Sequence, residues 1–310
     1  MSELSSCHFP HYVLHVLKKI QDHGFEAYIV GGAVRDIILG RKVTDFDLCS
    51  NALPQQIQQI FKKIIPTGIK YGTVTVRAYR HSVEITTFRV DQDYDGRWPA
   101  KVDFIRDINQ DLSRRDFTIN AMAYDPFADK LVDIYRGVND CNNKLIKTVG
   151  DPNLRFAEDS LRMLRAIRFA VVLGFSIDPQ TFKAIDPSIF LQANISRERI
   201  LAELQKIVLA DIKLGFLLLY KSGLLKILSL SKRENKQIRK WQGKKTSAAL
   251  IRQEIGTLNI TGDDLLNLGI PFGKKIGTIL KDLLNQVKTH KVTNNKKELI
   301  KYLKKEKIIK

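Results

Sequence analysis

A strand, a two-glycine turn, a short helix and a second strand follow one another early in the chain, and this unit restricts the possible folds more than any other part of the sequence. The segments AYIV, GG, AVRDIIL and DFDLC stand in this order between residues 27 and 49, and Gly40 ends the predicted helix. Gly31 and Gly32 lie where the first strand passes into the helix, so backbone N–H groups converge there. The glycines therefore predict either a phosphate-binding turn or a tight turn that only glycine permits.

Asp45 and Asp47 stand two residues apart in the second predicted strand. Alternate residues of a strand point to the same face, so the two carboxylates lie side by side and repel one another. A hard divalent cation relieves this repulsion, and Mg²⁺ binds carboxylate oxygens while it keeps positions for water and phosphate oxygens. The pair predicts a Mg²⁺ site next to the glycine turn, to which Arg35 could add a guanidinium. A pair of solvated aspartates in a turn is the alternative.

A third carboxylate is predicted from the segment GTVTVRAYRHSVEITTFR (72–89), which alternates like the two strands of a hairpin. Glu84 interrupts an apolar strand, where a charge is costly unless it has a partner or a function. In a two-metal site, a third acidic group holds the ion that activates the attacking hydroxyl. Glu84 is therefore the candidate for this catalytic role beside Asp45 and Asp47. An exposed glutamate on an edge strand is the alternative.

Two adjacent arginines follow in DLSRRDFTINAMAYD (111–125). Arg114 and Arg115 predict an anion clamp that Asp116 anchors, because guanidinium groups bind phosphate oxygens through parallel hydrogen bonds. An ion pair at the surface would explain the same residues. Asn120 is a candidate for a contact to a ribose hydroxyl or for a helix cap.

The segment FAEDSLRMLRAIRFAVVLGF predicts a helix that begins at Glu158 and Asp159. Arg162, Arg165 and Arg168 follow at intervals of three, so they track along one side of the helix with the aspartate. Ion pairs between neighbouring turns would account for this spacing. A fixed carboxylate beside a fixed guanidinium would also recognise cytosine or adenine, since both bases present an amine to the carboxylate and a ring acceptor to the arginine. Uracil and guanine present a carbonyl instead, which leaves buried polar groups unpaired.

The charge of the chain favours a polyanionic partner. The chain has 51 Lys and Arg against 33 Asp and Glu, a formal net charge of +18, and residues 231–310 hold 20 of the basic and 7 of the acidic residues. This surplus of basic residues suits contacts to nucleic-acid phosphates. Lysines on solvated helix faces are the alternative explanation. No apolar run reaches the ~20 residues that cross a bilayer, and three isolated cysteines indicate reduced thiols. We therefore expect a cytoplasmic protein.

The pattern of apolar residues changes along the chain. The first 150 residues predict mixed α/β structure, with a helix over 52–64 and a turn-rich loop over 90–106. After about residue 153, apolar residues recur at helical spacing, including two helices on either side of residue 211. Residues 231–256 predict a polar linker or an exposed helix.

These motifs, in this order, resemble the bacterial class II tRNA nucleotidyltransferase and poly(A) polymerase family, within the polymerase-β-type nucleotidyltransferase superfamily. The matching phrases are GGAVRDIILG with DFDL, RRDFTINAMAY, DIYRG, EDSLRMLRAIRFA and ISRERILAEL, across roughly residues 25–205. The resemblance implies an α+β catalytic head with a mixed sheet and helices over residues 1–150. It also implies an all-α neck that selects the nucleotide over 151–220, and a shortened, basic helical body and tail that binds tRNA over 221–310.

The resemblance further implies an activity and a role for each motif. The activity is template-independent addition of CCA to tRNA 3′ ends from CTP and ATP, with Mg²⁺ as cofactor and release of pyrophosphate. It assigns Asp45 and Asp47 to the catalytic metal, and Gly32, Arg35 and Arg114 or Arg115 to the triphosphate. It assigns Asp159 and Arg162, supported by Arg165 and Arg168, to the protein template. It assigns Asp133 and Gly137 to the hinge between head and neck.

Two departures from the family pattern bear on this prediction. The chain is shorter than common members although its end resembles their C-terminal segment, so we expect an internal shortening after about residue 220 that trims the tRNA-holding body. CC-adding relatives have an altered loop between the first two motifs, whereas this sequence keeps a full loop with Asp95, Arg97 and Arg106, which favours complete CCA addition. A relative that adds only CC, only A or poly(A) is one alternative, and an inactive RNA-binding protein is another. Neither a protein partner nor a membrane is expected.

Overall fold

The structure is a computed structural model of the 310-residue chain. It describes residues 4, 7, 9–95, 98–193, 195–228, 234, 238, 240–241, 258–271, 273–289, 291–306 and 308–309. For residues 92–95, 98–101, 274 and 288, the backbone alone is described.

Two compact units make up the chain, residues 1–229 and residues 230–310. Within the first unit, one hydrophobic core joins the predicted head and neck, because Ile29 and Phe117 belong to the same buried cluster as Ala166 and Phe169. The rings of Phe117 and Phe169 meet edge to face at 5.6 Å between centroids. The predicted boundary between head and neck at residue 150 therefore does not separate two hydrophobic cores. That the two parts have different functions stays a prediction.

A seven-stranded mixed sheet forms the centre of the first unit, in the order β3-β4-β5-β2-β1-β8-β9. The β2–β5 pair is parallel and the other pairs are antiparallel. Two smaller two-stranded sheets pair β6 with β7 and β10 with β11. The strands are β1 Ala27–Val30, β2 Asp47–Ser50, β3 Ile64–Gly68, β4 Thr73–Ala78, β5 His81–Thr87, β6 Arg89–Asp95, β7 Trp98–Phe104, β8 Ala123–Asp125, β9 Lys130–Val132, β10 Leu145–Ile146 and β11 Ser176–Ile177.

Helices surround this sheet and continue the chain beyond it. Those of the first unit are α1 His11–Gln21, α2 Gly32–Ile38, α3 Pro54–Ile60, α4 Ile108–Ser113, α5 Gly137–Asn142, α6 Pro152–Glu158, α7 Leu161–Leu173, α8 Pro179–Lys183, α9 Pro187–Gln192, α10 Arg197–Lys221 and α11 Leu224–Ile227. The second unit contains α12 Gly262–Asn267, α13 Lys274–Lys288 and α14 Lys296–Lys305. Among the described residues, no helix is both long and apolar enough to cross a membrane.

The two faces of the sheet are covered differently, which decides where a site can form. Alternate side chains of the strands, such as Leu48 and Ile85, join the core that α1 and α3 complete. On the opposite face, Cys49 lies in a smaller buried cluster with Ile108 and Leu112 of α4. This second cover is partial, so polar side chains at the start of β2 and along β5 reach open cavities.

The structure confirms several predicted elements and contradicts others. The strand–glycine–helix–strand unit is present, the 72–89 hairpin is β4–β5, and the predicted interruption at Asp211 is a non-helical residue inside α10. The helix predicted over 52–64 is too long, because α3 ends at Ile60 and Ile64 begins a strand. The turn-rich loop predicted over 90–106 is also wrong, since β6 and β7 pair there as an antiparallel hairpin.

Gly137 offers a test of how closely α5 packs against the segment that follows α4. A Cβ at this position would collide with the backbone oxygen of Thr118 and would lie 2.8 Å from Sδ of Met122. Because the backbone oxygen cannot move independently, we expect Gly137→Ala to lower the free energy of unfolding by roughly 1–3 kcal/mol, measured by urea denaturation. In Gly68→Ala the added Cβ meets Cβ of Thr73 at an ordinary 3.5 Å, so this control should change stability by less than about 0.5 kcal/mol. An unchanged stability of Gly137→Ala would contradict the packing.

Candidate functional site

A cavity of about 590 Å³ opens between the β1–α2 turn, the start of β2, the α6–α7 junction and α10. Most of the residues predicted for the site line it. These are Gly31, Gly32, Arg35, Asp45, Asp47, Arg114, Arg115, Asn120, Asp159, Arg162 and Arg165. Glu84 and Arg168 do not line this cavity, and Lys206 and Phe169 line it although neither was predicted.

Asp45 and Asp47 reach this cavity from different backbone settings. The strand begins only at Asp47, so Asp45 lies in the preceding loop, where its carboxylate accepts a hydrogen bond from Oγ1 of Thr44 at 3.2 Å. Burial raises the pKa of Asp47, the guanidinium of Arg115 lowers it, and the Asp45 charge raises it further. The two carboxylates therefore face one space and repel one another, as the sequence predicted, although a single strand does not hold both.

Glu84 stands beside Asp47 across the parallel β2–β5 pair, in which these two residues are direct partners. Burial raises the pKa of Glu84, and the charge of Asp47 raises it further. Glu84 lines a second cavity, of about 220 Å³, which shares Asp47, Arg114 and Arg115 with the first. The predicted third carboxylate thus lies next to the predicted metal pair.

The chemistry of these carboxylates fits a bound cation. Among the residues that the structure describes, neither Asp47 nor Glu84 has an ion-pair partner, although burial and like charge disfavour ionisation of both. Within the same residues, no group of three or more His, Cys, Asp or Glu side chains is close enough to hold a metal ion. A cation here would therefore take two protein carboxylates and complete its coordination with water and substrate oxygens, as Mg²⁺ commonly does.

The glycine turn is built from backbone geometry that glycine favours. Gly31 has φ +67°, and a Cβ there would lie 3.2 Å from Nη1 of Arg115. Its own N–H donates to the backbone oxygen of Met122 at 3.1 Å, so this amide is not available to a phosphate. Arg35 is buried, and its Nη1 donates to Oδ1 of Asn120 at 2.6 Å.

Asp111, not Asp116, anchors Arg114 and Arg115. The Asp111 carboxylate is fully buried and accepts from Nη2 of Arg114 at 2.8 Å and from Nη2 of Arg115 at 3.0 Å. Burial would raise the pKa of Asp111, but the two guanidinium groups outweigh it and lower the pKa. The prediction that Asp116 anchors this clamp is wrong, because the anchor lies one helical turn before the arginines, on the same helix end.

Asp116 instead connects α7 to the segment after α4. Its Oδ2 accepts from Nε of Arg165 at 2.9 Å, and its Oδ1 accepts from Nδ2 of Asn120 at 3.1 Å. The carboxylate is desolvated, yet the Arg165 guanidinium and the Asn120 hydrogen bond hold its pKa well below the usual range. Asn120 bridges Asp116 and Arg35 and does not cap a helix, so only its predicted contact to ribose stays open.

The predicted helix that starts at Glu158 is in fact two helices with a break. Glu158 ends α6, Asp159 has φ −144° and ψ 99°, and α7 begins at Leu161. Arg162 pairs with Glu158 at 2.6 Å, and its Nη2 donates to the backbone oxygen of Arg114 at 3.2 Å. The break was missed because the local sequence keeps helical apolar spacing through residues that the backbone uses for a turn.

Asp159 finds its partner on a distant helix. Nη2 of Arg199, on α10, donates to Oδ2 of Asp159 at 2.8 Å. Four residues later on α10, Glu203 pairs with Arg168 and lies 3.9 Å from Arg165. Sequence reasoning missed Arg199, Glu203 and Lys206, although their spacing in ISRERILAELQK places them on one face of a helix and was the available signal.

Two further sets of predicted residues are only partly described. Arg97 lies outside the described residues and the side chain of Asp95 is not described, so a role of the 90–106 segment stays a prediction. Asp133, predicted at the hinge, accepts hydrogen bonds from the N–H groups of Gly137 at 2.6 Å and Val138 at 3.0 Å. This arrangement fixes the start of α5, and the hinge role itself stays a prediction.

Family models match two segments of the chain. Residues 27–147 match the Poly A polymerase head domain, and residues 174–230 match the probable RNA and SrmB-binding site of polymerase A. The CCA-adding enzyme of Pediococcus pentosaceus is 48% identical over 197 residues, which are 63% of this chain and 50% of the relative. That of Lactococcus lactis subsp. lactis is 47% identical over 218 residues, 69% of this chain and 54% of the relative. The chain thus spans about half the length of the curated relatives it matches.

Solved structures share the fold along most of the chain. The crystal structure of the Bacillus stearothermophilus CCA-adding enzyme in complex with CTP superimposes with a TM-score of 0.64 and 26% identity, covering 96% of this chain and 97% of that chain. The Thermotoga maritima CCA-adding enzyme complexed with tRNA has a TM-score of 0.56 and 20% identity, covering 97% of each chain.

Replacement of Asp47 by asparagine tests the electrostatic cost of the carboxylate cluster. The native pKa of Asp47 is raised, so its contribution to stability is present below the unfolded pKa and is lost as the pH rises through the native pKa. Asparagine does not ionise, so in the absence of divalent cations Asp47→Asn should not lose stability in this way. We expect the variant to be more stable than wild type at pH 7. The gain should be less than about 1 kcal/mol because the side chain retains solvent contact.

Urea denaturation between pH 4 and pH 8 measures this difference. Mg²⁺ should raise the melting temperature of wild type but not of Asp47→Asn, since only the native wild-type site binds it. Asp22→Asn, at an exposed ion pair with Lys18, is the surface control and should change stability by less than about 0.5 kcal/mol. A less stable Asp47→Asn protein, or an equal response of both proteins to Mg²⁺, would refute the interpretation.

Proposed function

The chain belongs to the class II tRNA nucleotidyltransferase and poly(A) polymerase family, and from this we propose that it adds CCA to tRNA 3′ ends from CTP and ATP and releases pyrophosphate. The observation that carries the proposal is that Asp47 and Glu84 stand side by side on the paired strands β2 and β5, at the wall of an arginine-lined cavity. A protein that only binds RNA has no need of unpaired, partly desolvated carboxylates, whose ionisation opposes folding.

Asp45 and Asp47 would hold a divalent cation, which we propose to be Mg²⁺. When bound, the cation neutralises the carboxylates and offsets the negative charge that develops on the transferred phosphoryl group. Arg114 and Arg115, fixed by Asp111, present guanidinium groups to the triphosphate at the same cavity wall. Arg35 lines the same cavity and helps to orient the phosphates.

The proposed reaction joins an RNA terminus to the α-phosphate. The oxygen of the terminal 3′-hydroxyl forms a bond to the α-phosphorus, the bond from that phosphorus to the bridging oxygen breaks, and pyrophosphate leaves with the electron pair. We propose that Glu84 accepts the hydroxyl proton, since it lies beside Asp47 and since burial and the charge of Asp47 raise its pKa. In an in-line displacement, the attacking and leaving oxygens stand on opposite sides of the phosphorus.

We propose that Asp159 and Arg162 select the base. Both residues line the cavity, and each forms an ion pair with a third residue. Arg199 holds Asp159, and Glu158 holds Arg162. A carboxylate held in place accepts from the amine of cytosine or adenine, and a guanidinium held in place donates to a ring acceptor. Arg165 and Arg168 support the wall through Asp116 and Glu203.

The helical parts complete the proposed division of labour. Residues 1–150 would carry catalysis, 151–220 nucleotide selection, and 221–310 would bind tRNA through the lysines of the second unit. The match of residues 174–230 to an RNA-binding segment supports an RNA substrate for the region after the catalytic head. A tRNA substrate places the proposed reaction in the cytoplasm.

Incorporation assays with tRNA that lacks CCA, supplied with CTP, ATP, GTP and UTP singly and together, test the function. We expect two C residues and one A residue, with no use of GTP or UTP. Addition of C alone, of A alone to a CC end, or of long A runs would establish a single-specificity relative instead. Binding of tRNA without any incorporation would favour the inactive RNA-binding alternative.

Asp159→Ala tests base selection. We expect the variant to incorporate GTP and UTP as well as CTP and ATP, with CTP efficiency lowered by about tenfold or more, because one hydrogen bond to a charged group is lost. The measurement is kcat/KM for each nucleotide on the same tRNA. Asp47→Ala is the matched control, since it should abolish incorporation of every base while tRNA binding stays nearly unchanged. Strict C and A selection by Asp159→Ala would rule out the template role.

A further inference from the structure

An exposed polar face of the sheet continues from Glu84 away from the nucleotide cavity. Glu84 pairs with Thr75 of β4, and Ser82, two residues earlier in β5, pairs with Arg77. Neighbouring strands lie about 4.8 Å apart, and alternate residues of one strand about 6.8 Å apart. The four side chains therefore form a small rectangle on one face of the sheet, with Glu84 at the corner next to Asp47.

The position of this rectangle is opposite to that of the proposed triphosphate. Gly31 and Arg35 follow β1, which pairs with β2 on one side of Asp47. The β5 and β4 strands lie on the other side of the same residue. Because attacking and leaving oxygens must be in line, a triphosphate on the β1 side requires that the RNA hydroxyl approach from the β5 side.

Arg77 gives this face a positive charge that nothing in the described structure neutralises. The residue is exposed, its Nη1 donates to Oγ of Ser82 at 3.1 Å, and it has no ion-pair partner among the described residues. Four of its five N–H donors are therefore free to bind an anion, and a guanidinium suits phosphate oxygens. Oγ1 of Thr75 lies 3.0 Å from Oγ1 of Thr67 on β3, and the adjacent Ile65 is 45% exposed. Charged, hydroxyl and apolar groups together suit a nucleotide.

We infer that the 3′-terminal nucleotide of the acceptor RNA lies across this face, with its 3′-hydroxyl at Glu84 and its own 5′-phosphate at Arg77. The inference rests on the proposed function and adds to it a subsite for the RNA end. The distance from Glu84 to the neighbouring cross-strand pair Arg77–Ser82 matches the length of one ribose, so a single nucleotide spans both contacts. Arg77 is thus a binding residue for the acceptor and has no contact with the incoming nucleoside triphosphate.

A chemical double-mutant cycle tests the contact. The acceptor is tRNA ending in CC, prepared with either a normal or a neutral methylphosphonate linkage on the 5′ side of its terminal nucleotide, and ATP is the donor. We expect Arg77→Ala to raise KM for normal tRNA by about tenfold, as for one charge-assisted hydrogen bond, with KM for ATP unchanged. The methylphosphonate should raise KM about tenfold for wild type and should have little further effect in Arg77→Ala.

Two variants keep the result interpretable. Arg80→Ala removes the same charge from the β4–β5 turn, three residues away, and should leave both KM values as in wild type. Arg77→Lys should restore part of the acceptor affinity, which a purely structural role of the Ser82 hydrogen bond would not predict. The inference would be overturned if Arg77→Ala and Arg80→Ala had equal KM values for tRNA. It would also be overturned if the effects of Arg77→Ala and of the methylphosphonate were additive. In both cases, incorporation by wild type would still support the proposed function. A wild type that incorporates nothing would count against both.

Discussion

The ionised carboxylate of Asp116 determines the arrangement of the whole cavity, because it can be buried only with its partners in place. A desolvated carboxylate is costly, and the cost is offset only when hydrogen bonds and an opposite charge meet it with good geometry. Arg165 of α7 and Asn120 satisfy it, and Asn120 in turn holds Arg35 of α2. One buried charge thus fixes two helices and the segment after α4 around the same space.

Asp47 on β2 and Glu84 on β5 have pKa values shifted in the opposite direction. Asp111 and Asp116 have lowered pKa values because arginines surround them, whereas Asp47 and Glu84 have raised pKa values because burial and like charge dominate. The first pair stabilises the folded chain, and the second pair opposes it. Sites that bind a cation commonly keep such unfavourable charges, since stability and function are then traded against one another.

Local chemistry in the sequence predicted much of this site, and contacts between distant segments explain part of what it missed. The glycine turn and Glu84 on a strand follow from residue type and a period of two or 3.6 residues. Asp45 and Asp47 line one cavity as predicted, although Asp45 reaches it from the loop before β2. The contact of Asp159 with Arg199 does not show in local spacing, because 40 residues separate the two. The anchor Asp111 was missed although it stands at helical spacing, three and four residues before Arg114 and Arg115. The loop predicted over 90–106 was read from its turn-forming residues, and pairing between β6 and β7 overrides that preference.

The break between α6 and α7 shows why the long-range partner of Asp159 matters. Inside a continuous helix, this aspartate would point along the helix surface towards the preceding turn. Because the backbone is extended at Asp159, its side chain instead lies at the cavity wall, where Oδ1 accepts from the N–H of Leu161 and Oδ2 from Arg199. A carboxylate has about four lone-pair sites, so these two bonds leave capacity for the amine of a base. Arg199 therefore orients the carboxylate without occupying it, and the accuracy of the proposed base selection depends on how firmly α10 packs against α7.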